Sequence, residues 1–180
     1  MKAIYDLEWT TKNNFREIIQ IGYILCDDKF EIIHKKKLHY IYPIINQNIS
    51  NHVSNLTGIT DNVLKKKGVT FKFAMGTFLE DIKNTNVIYS FGYDINIIKE
   101  NYIKHKLNYS FSKNLKFKNI RFSICKFLKI GYYSISSSEL KNLCGKINTN
   151  NYNNLIAHNA LHDSLSIFYF LKFYNKNLNA

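Results

Sequence analysis

Residues 5–10 read YDLEWT, and the two carboxylates in that stretch, Asp6 and Glu8, stand two positions apart in an otherwise apolar run. In a β-strand, residues two apart project from the same face, so both acids would enter one small volume. At a separation of about 5 Å and an effective dielectric near 20, such a pair repels by roughly 3 kcal/mol, a large share of a domain's ~5–15 kcal/mol stability. Either both acids sit at a wet strand end, or something positive neutralises them. The rest of the chain has to decide.

Three strand-like stretches come first: KAIYDLEW, EIIQIGYILC and KFEIIHKKKLHYIYP, all rich in Ile and Tyr, with Asp27 and Asp28 turning the second into the third. They predict an antiparallel meander. Pro43 and NQNISN end it, and short helical pieces follow around HVSNLTGIT and DNVLKKK. Apolar residues then recur at Phe71, Ala74, Met75, Phe78, Leu79 and Ile82, the spacing of an amphipathic helix. NVIYSF reads as a buried strand, YDINIIKENYIKHK as a helix, and FKNIRFSI as a fifth strand running into another helix. Ser136 and Glu139 match a capping box ahead of ELKNLCGKI, NTNNYNN is a polar loop, and AHNALHDSLSIFYFLKFY is a helix apolar enough to pack deep against a sheet. This order predicts an α/β domain whose helices cover a mixed sheet, with no repeat and no linker, and we expect one domain over 1–180.

Bulk properties bound the function. A chain of 180 residues with 46% hydrophobic content can bury roughly 70% of its unfolded surface in one core. Lys and Arg number 25 against 13 acids, a net charge of +12 that fits an anionic partner such as nucleic acid. The basic residues gather at Lys35–Lys37, at Lys65–Lys67, around Lys104, His105 and Lys106, and at Lys113, Lys116 and Lys118. Each such run has a plain alternative as a solvated face. Cys26, Cys125 and Cys144 are widely separated and lack C-x-x-C spacing, so they read as reduced, buried thiols. Acids stand where a secretory core would lie, and no apolar stretch could span a bilayer; a cytoplasmic protein without a membrane partner is expected.

Further carboxylates lie downstream. Asp94 directly follows NVIYSF, where it is either a helix cap or a site residue. Asp163 lies on the most apolar helix, where an unpaired acid is costly and needs a partner. His158, five residues earlier, shares a site with it if the histidine occupies the entry loop. His162 with His158 would make a zinc-type pair, but the third ligand and the activating Glu of H-E-x-x-H are absent. Four acids in one pocket require cations between them, and all-oxygen ligation suits Mg²⁺ or Mn²⁺.

The Asp6-x-Glu8 pair, Asp94 in FGYDINII, and His158 with Asp163 in the H-x-A-x-x-D pattern of HNALHD together resemble the three motifs of the DEDDh 3′→5′ exonuclease family, in the family's order. REIIQIGYIL is similar to that family's second strand and HVSNLTGIT to its TGI loop, so the resemblance covers nearly the whole chain. His162 stands where the family more often has an acid, and Ser164 where it often has alanine. Asn159 stands where the tyrosine-using class would need Tyr.

The resemblance implies a ribonuclease H-like fold with a five-stranded mixed sheet, three antiparallel strands followed by two parallel ones, flanked by helices. It implies two Mg²⁺ or Mn²⁺ ions held by Asp6, Glu8, Asp94 and Asp163, with His158 as general base. The product would be nucleoside 5′-monophosphates, cut from the 3′ end of single-stranded DNA or RNA. Trp9 is either a base-stacking residue or core. Rival readings are a ribonuclease H-like endonuclease or resolvase, which would carry a single Asp on the first strand, and a non-catalytic nucleic-acid-binding protein. A polymerase's proofreading subunit is a further rival, although the short NKNLNA tail leaves little room for a docking extension; any protein partner stays open.

Overall fold

The computed structural model describes residues 1–109, 111–112, 114–132, 134–147 and 155–178. Its first three strands, β1 (Lys2–Lys12), β2 (Phe15–Cys26) and β3 (Ile33–Ile41), form the expected antiparallel meander. Lys12 pairs with Phe15, so the β1–β2 loop is only Asn13 and Asn14. Both take positive φ, 49° and 61°, which a two-residue hairpin loop requires and which asparagine tolerates well. The β2–β3 connection is longer than a tight turn. Asp27 Oδ1 accepts the amides of Glu31 and Ile32 at 2.7 and 2.8 Å, pulling residues 29–32 out of the third strand.

Next come helices α1 (Asn51–Thr57) and α2 (Asp61–Lys67), strand β4 (Gly68–Val69), helix α3 (Phe71–Ile82), strand β5 (Val87–Ser90) and helix α4 (Asp94–Lys104). Strand β6 (Lys116–Asn119) and helices α5 (Arg121–Leu128), α6 (Ser137–Ile147) and α7 (Ala160–Leu178) complete the chain. Ser50, Thr60 and Thr70 each cap a helix through the side-chain oxygen. The Ser136–Glu139 box forms as expected, with the Glu139 amide donating to Ser136 Oγ at 3.2 Å.

The sheet runs β4-β3-β2-β1-β5-β6, with β5 parallel to β1 and β6 parallel to β5. The five expected strands are all present. A sixth, the two-residue β4, pairs parallel with Tyr40 and Ile41; at that length it has no periodicity to read. The last helix starts at Ala160, three residues later than expected, because His158 takes φ +60° and breaks the helical path. The tract 148–154 and Lys113 lie outside the described residues.

Side chains alternate across β1. Ala3, Tyr5 and Leu7 enter a core shared with Phe71, Met75 and Phe78 of α3 and Ile97, Ile98 and Tyr102 of α4. Ile4 enters the opposite core, with Phe168, Phe170 and Leu171 of α7 and Ile124 of α5. Asp6 and Glu8 continue the Ile4 row, so they point toward α7 at the carboxyl ends of the parallel strands. All three cysteines are buried, and among the described residues none forms a disulfide with another. Among the described residues no helix is long and apolar enough to cross a membrane.

Candidate active site

Two close approaches bring α7 onto the acid pair. Gly22 faces Asp6 across the β1–β2 ladder, and a Cβ there would lie 2.1 Å from the Leu161 nitrogen and 2.2 Å from the Ala160 carbonyl carbon. Only glycine admits the α7 backbone so near the sheet. Gln20, opposite Glu8 and almost wholly buried, accepts the Ala160 amide on Oε1 at 2.8 Å. Ser164 Oγ donates to the Gly22 carbonyl at 2.9 Å, a use for the hydroxyl at a position where alanine is usual in the resembling family. The ladder shifts register between Glu8 and Trp9, so Ile19 is an extra residue on β2 beside the site.

Asp6, Glu8 and Asp163 thereby converge, with one oxygen from each within 4.8 Å of the others. Asp94, the first residue of α4, stands outside that tight group but lines the same cleft. The cleft is about 330 Å³, walled by Asp6, Glu8, Asp94 and His158 on one side and by His52, Leu56 and Thr57 of α1 on the other. Trp9 both lines the cleft and packs against the core, so the two readings of this residue meet in one place. His162 does not pair with His158 as a ligand; its Nδ1 accepts the Ile156 amide at 2.9 Å.

His158 is fixed at both ends. Its amide donates to Asp163 Oδ2 at 3.0 Å, and its Nε2 is hydrogen-bonded to Ser138 Oγ at 3.3 Å. The left-handed backbone at His158 turns the chain so that the ring reaches the cleft while the amide reaches Asp163. Partial burial lowers the imidazole's pKa, which keeps it neutral and able to accept a proton near pH 7.

The electrostatics describe a site built for cations. Asp6, Glu8, Asp94 and Asp163 are each 4–9% exposed. Burial, then the charges of Asp94, Asp163 and Glu8, push Asp6 well above the usual carboxylate range. Burial, then Asp163 and Asp94, push Glu8 to about 8. Burial raises Asp94 to about 7 even though Arg121 and Arg16 oppose it. Asp163 is likewise raised to about 7 by burial, against the His158 amide and Lys141. Asp94 Oδ2 and Asp163 Oδ1 are buried without a hydrogen-bond partner among the described residues, which is costly unless another ligand completes them. Clustered carboxylates with orphaned oxygens fit hard divalent cations.

Gln20, Gly22, Ser138 and α1's His52 carried no sequence signal of their own. Gln20 and Gly22 sit in an ordinary strand pattern, and Ser138 could be joined to His158 only by folding.

A mixed sheet with this order, covered by helices, is the ribonuclease H-like fold. The chain belongs to the RNase_T family, described as exonuclease, which matches residues 3–171, and its members hydrolyse phosphodiester bonds. No curated protein matches the chain by sequence. Solved structures share the fold. A full-length 3′-exonuclease superposes with TM-score 0.78 at 21% identity, over 99% of this chain and 81% of that one. The nuclease domain of 3′hExo, a DEDDh family member bound to rAMP, gives 0.77 at 22% identity, over 99% and 91%. Exonuclease I of E. coli, in a zinc-bound complex with single-stranded DNA, gives 0.75 at 16%, over 99% and 41%.

Proposed function

We propose that this exonuclease removes nucleoside 5′-monophosphates one at a time from the 3′ end of single-stranded DNA or RNA, in a reaction that depends on Mg²⁺ or Mn²⁺. The observation that carries this reading is the convergence of Asp6, Glu8 and Asp163, with an orphaned oxygen on Asp163 and another on Asp94, beside a cleft that Asp94 and His158 also line. Asp6, Glu8, Asp94 and Asp163 would hold two divalent ions, which when bound clamp the scissile phosphate and stabilise the attacking and leaving oxygens. His158 takes the proton of the attacking water onto its imidazole. Asp163, through the His158 amide, and Ser138, through Nε2, keep that ring at the cleft. Thr57, His52 and Leu56 wall the other side, where the terminal nucleoside would lie, with Trp9 in reach of its base.

Relatives in fold support the substrate class. Their structures include one bound to rAMP, one recognising the 3′ end of a histone mRNA stem-loop, and one in complex with single-stranded DNA. The basic balance of +12 would hold the phosphate backbone. Three buried cysteines with no disulfide among the described residues support work in a reducing compartment, the cytoplasm.

The test uses three oligonucleotides of one sequence: labelled at the 3′ end, labelled at the 5′ end, and circular, each with Mg²⁺ or Mn²⁺. Labelled mononucleotide should appear at once from the 3′-labelled strand, a shortening ladder from the 5′-labelled strand, and nothing from the circle. Cutting of the circle would overturn the exonuclease polarity and favour an endonuclease.

A further inference from the structure

Asp94 is the acid whose placement needs the most explanation. It opens α4 four residues after β5 ends at Ser90, and its preceding residue, Tyr93, contributes no side-chain capping hydrogen bond. What holds the intervening turn comes from the neighbouring strand. Asn119 ends β6 directly beside Ser90 in the parallel ladder. Its Oδ1 accepts two amides, Gly92 at 3.1 Å and Arg121 at 2.9 Å, while its Nδ2 donates to the Tyr132 hydroxyl at 2.8 Å. Gly92 takes φ +137°, a conformation side chains rarely adopt, and the space beside its Cα lies 3.5 Å from Asp94 Oδ1. The turn that Asn119 grips therefore passes close to the Asp94 carboxylate. Ser90 Oγ donates to the Gly92 carbonyl at 3.2 Å, and the Arg121 guanidinium lies 4.7 Å from the Phe91 ring while its Nη2 donates to the Ile135 carbonyl at 2.9 Å. Gly92 is thus held by Asn119, and Phe91 packs against Arg121, two residues beyond Asn119 in the chain.

We infer that Asn119 is a positioning residue for the metal site: by accepting the Gly92 and Arg121 amides on one oxygen, it fixes the turn that aims the Asp94 carboxylate into the cleft. This rests on the two-cation reading of the site. Asn119 does not line the cleft, and its side-chain oxygen and nitrogen are taken up by Gly92, Arg121 and Tyr132. Without its oxygen, the Gly92 amide loses its partner and the turn is free to carry Asp94 away from Asp6 and Glu8.

The experiment measures Mn²⁺ binding by calorimetry in the absence of substrate, alongside melting temperature and steady-state turnover, for the full chain and the variants Asn119→Ala, Asn119→Ser and Asn119→Asp. Asn119→Ala should weaken Mn²⁺ binding by about 10–100-fold, the range for groups that orient metal ligands. Turnover should fall with it, while KM for a single-stranded oligonucleotide stays near that of the parent. Asn119→Asp should restore both, because its carboxylate can still accept both amides. A residue that merely holds β6 in place would lower the melting temperature without separating metal binding from KM. Should Asn119→Ala fail to fold, Asn119→Ser carries the comparison, since its hydroxyl is too short to reach both amides. Parent-like Mn²⁺ affinity in the Ala or Ser variant, or an Asp variant as weak as Ala, overturns the inference and leaves the two-cation reading standing. A parent protein that takes up no Mn²⁺ sinks that reading and the inference with it.

Discussion

His158 and Asp163 show how much a single side chain can carry here. His158 is kept neutral by burial and held by Ser138 and Asp163, so replacing it removes the base without removing a core contact. His158→Ala should cut turnover by about 10²–10⁴-fold, measured on a 3′-labelled single strand, with an unchanged melting temperature. Asp163→Asn should cost more, because it takes charge from the cation site as well as weakening the hold on His158. An unaltered rate in either variant would remove these residues from the chemistry.

Among the secondary elements, the docking of α7 on β2 decides whether the site exists. Gln20 caps the first turn of α7 from 140 residues away, and Gly22 lets the helix backbone reach the sheet. Gly22→Ala forces a methyl group into the Ala160–Leu161 backbone, which cannot swing aside as a side chain could. We expect destabilisation of about 1–3 kcal/mol in urea unfolding, with loss of Mn²⁺ binding as Asp163 is pushed off Asp6 and Glu8. A variant that keeps full stability and metal binding would show that α7 can slide without cost. Gln20→Ala leaves the Ala160 amide unpaired in a buried place and should lower stability by about 1–3 kcal/mol in the same measurement.

Taken as one body, the protein stores acid repulsion that protons or cations must relieve. Glu8 is pushed to about 8, and Asp94 and Asp163 to about 7, all above their unfolded values near 4. The folded state then binds more protons than the unfolded one across this window, so stability falls as pH rises. With chelator present, the melting temperature should be lower at pH 8 than at pH 6.5; the half-buried His39 and His105, whose pKa values burial lowers, stay mostly neutral across that range. Mn²⁺ should raise it most at pH 8, where it replaces protons. A flat chelated profile would mean the acids are not held together. The positive charge is less free than its count implies. Lys35 and Lys37 are paired with Asp81, at 2.5 and 3.4 Å, near the end of the sheet away from the cleft. Binding of single strands should weaken with salt, and Lys35→Ala should alter that dependence little.

The sequence by itself determined the order and type of the long elements and the face shared by Asp6 and Glu8, which rest on periodicity, capping and spacing, local properties of the chain. The five candidate site residues came instead from the resemblance of their motifs to a family, and the fold brings Asp6, Glu8 and Asp163 together with Asp94 and His158 at the adjoining cleft. The entry-loop place of His158, ahead of the helix that bears Asp163, was legible from their five-residue separation. Only the tertiary structure decided what holds those residues in register. Gln20 reaching Ala160, Gly22 admitting α7, Ser138 meeting His158 and Asn119 gripping Gly92 are contacts between elements far apart in the chain, and nothing in the local pattern marks a strand glutamine or a strand-end asparagine as a partner. The same holds for the lysines: the sequence counts them, but whether each is free or tied to an acid depends on which surface packing brings beside it.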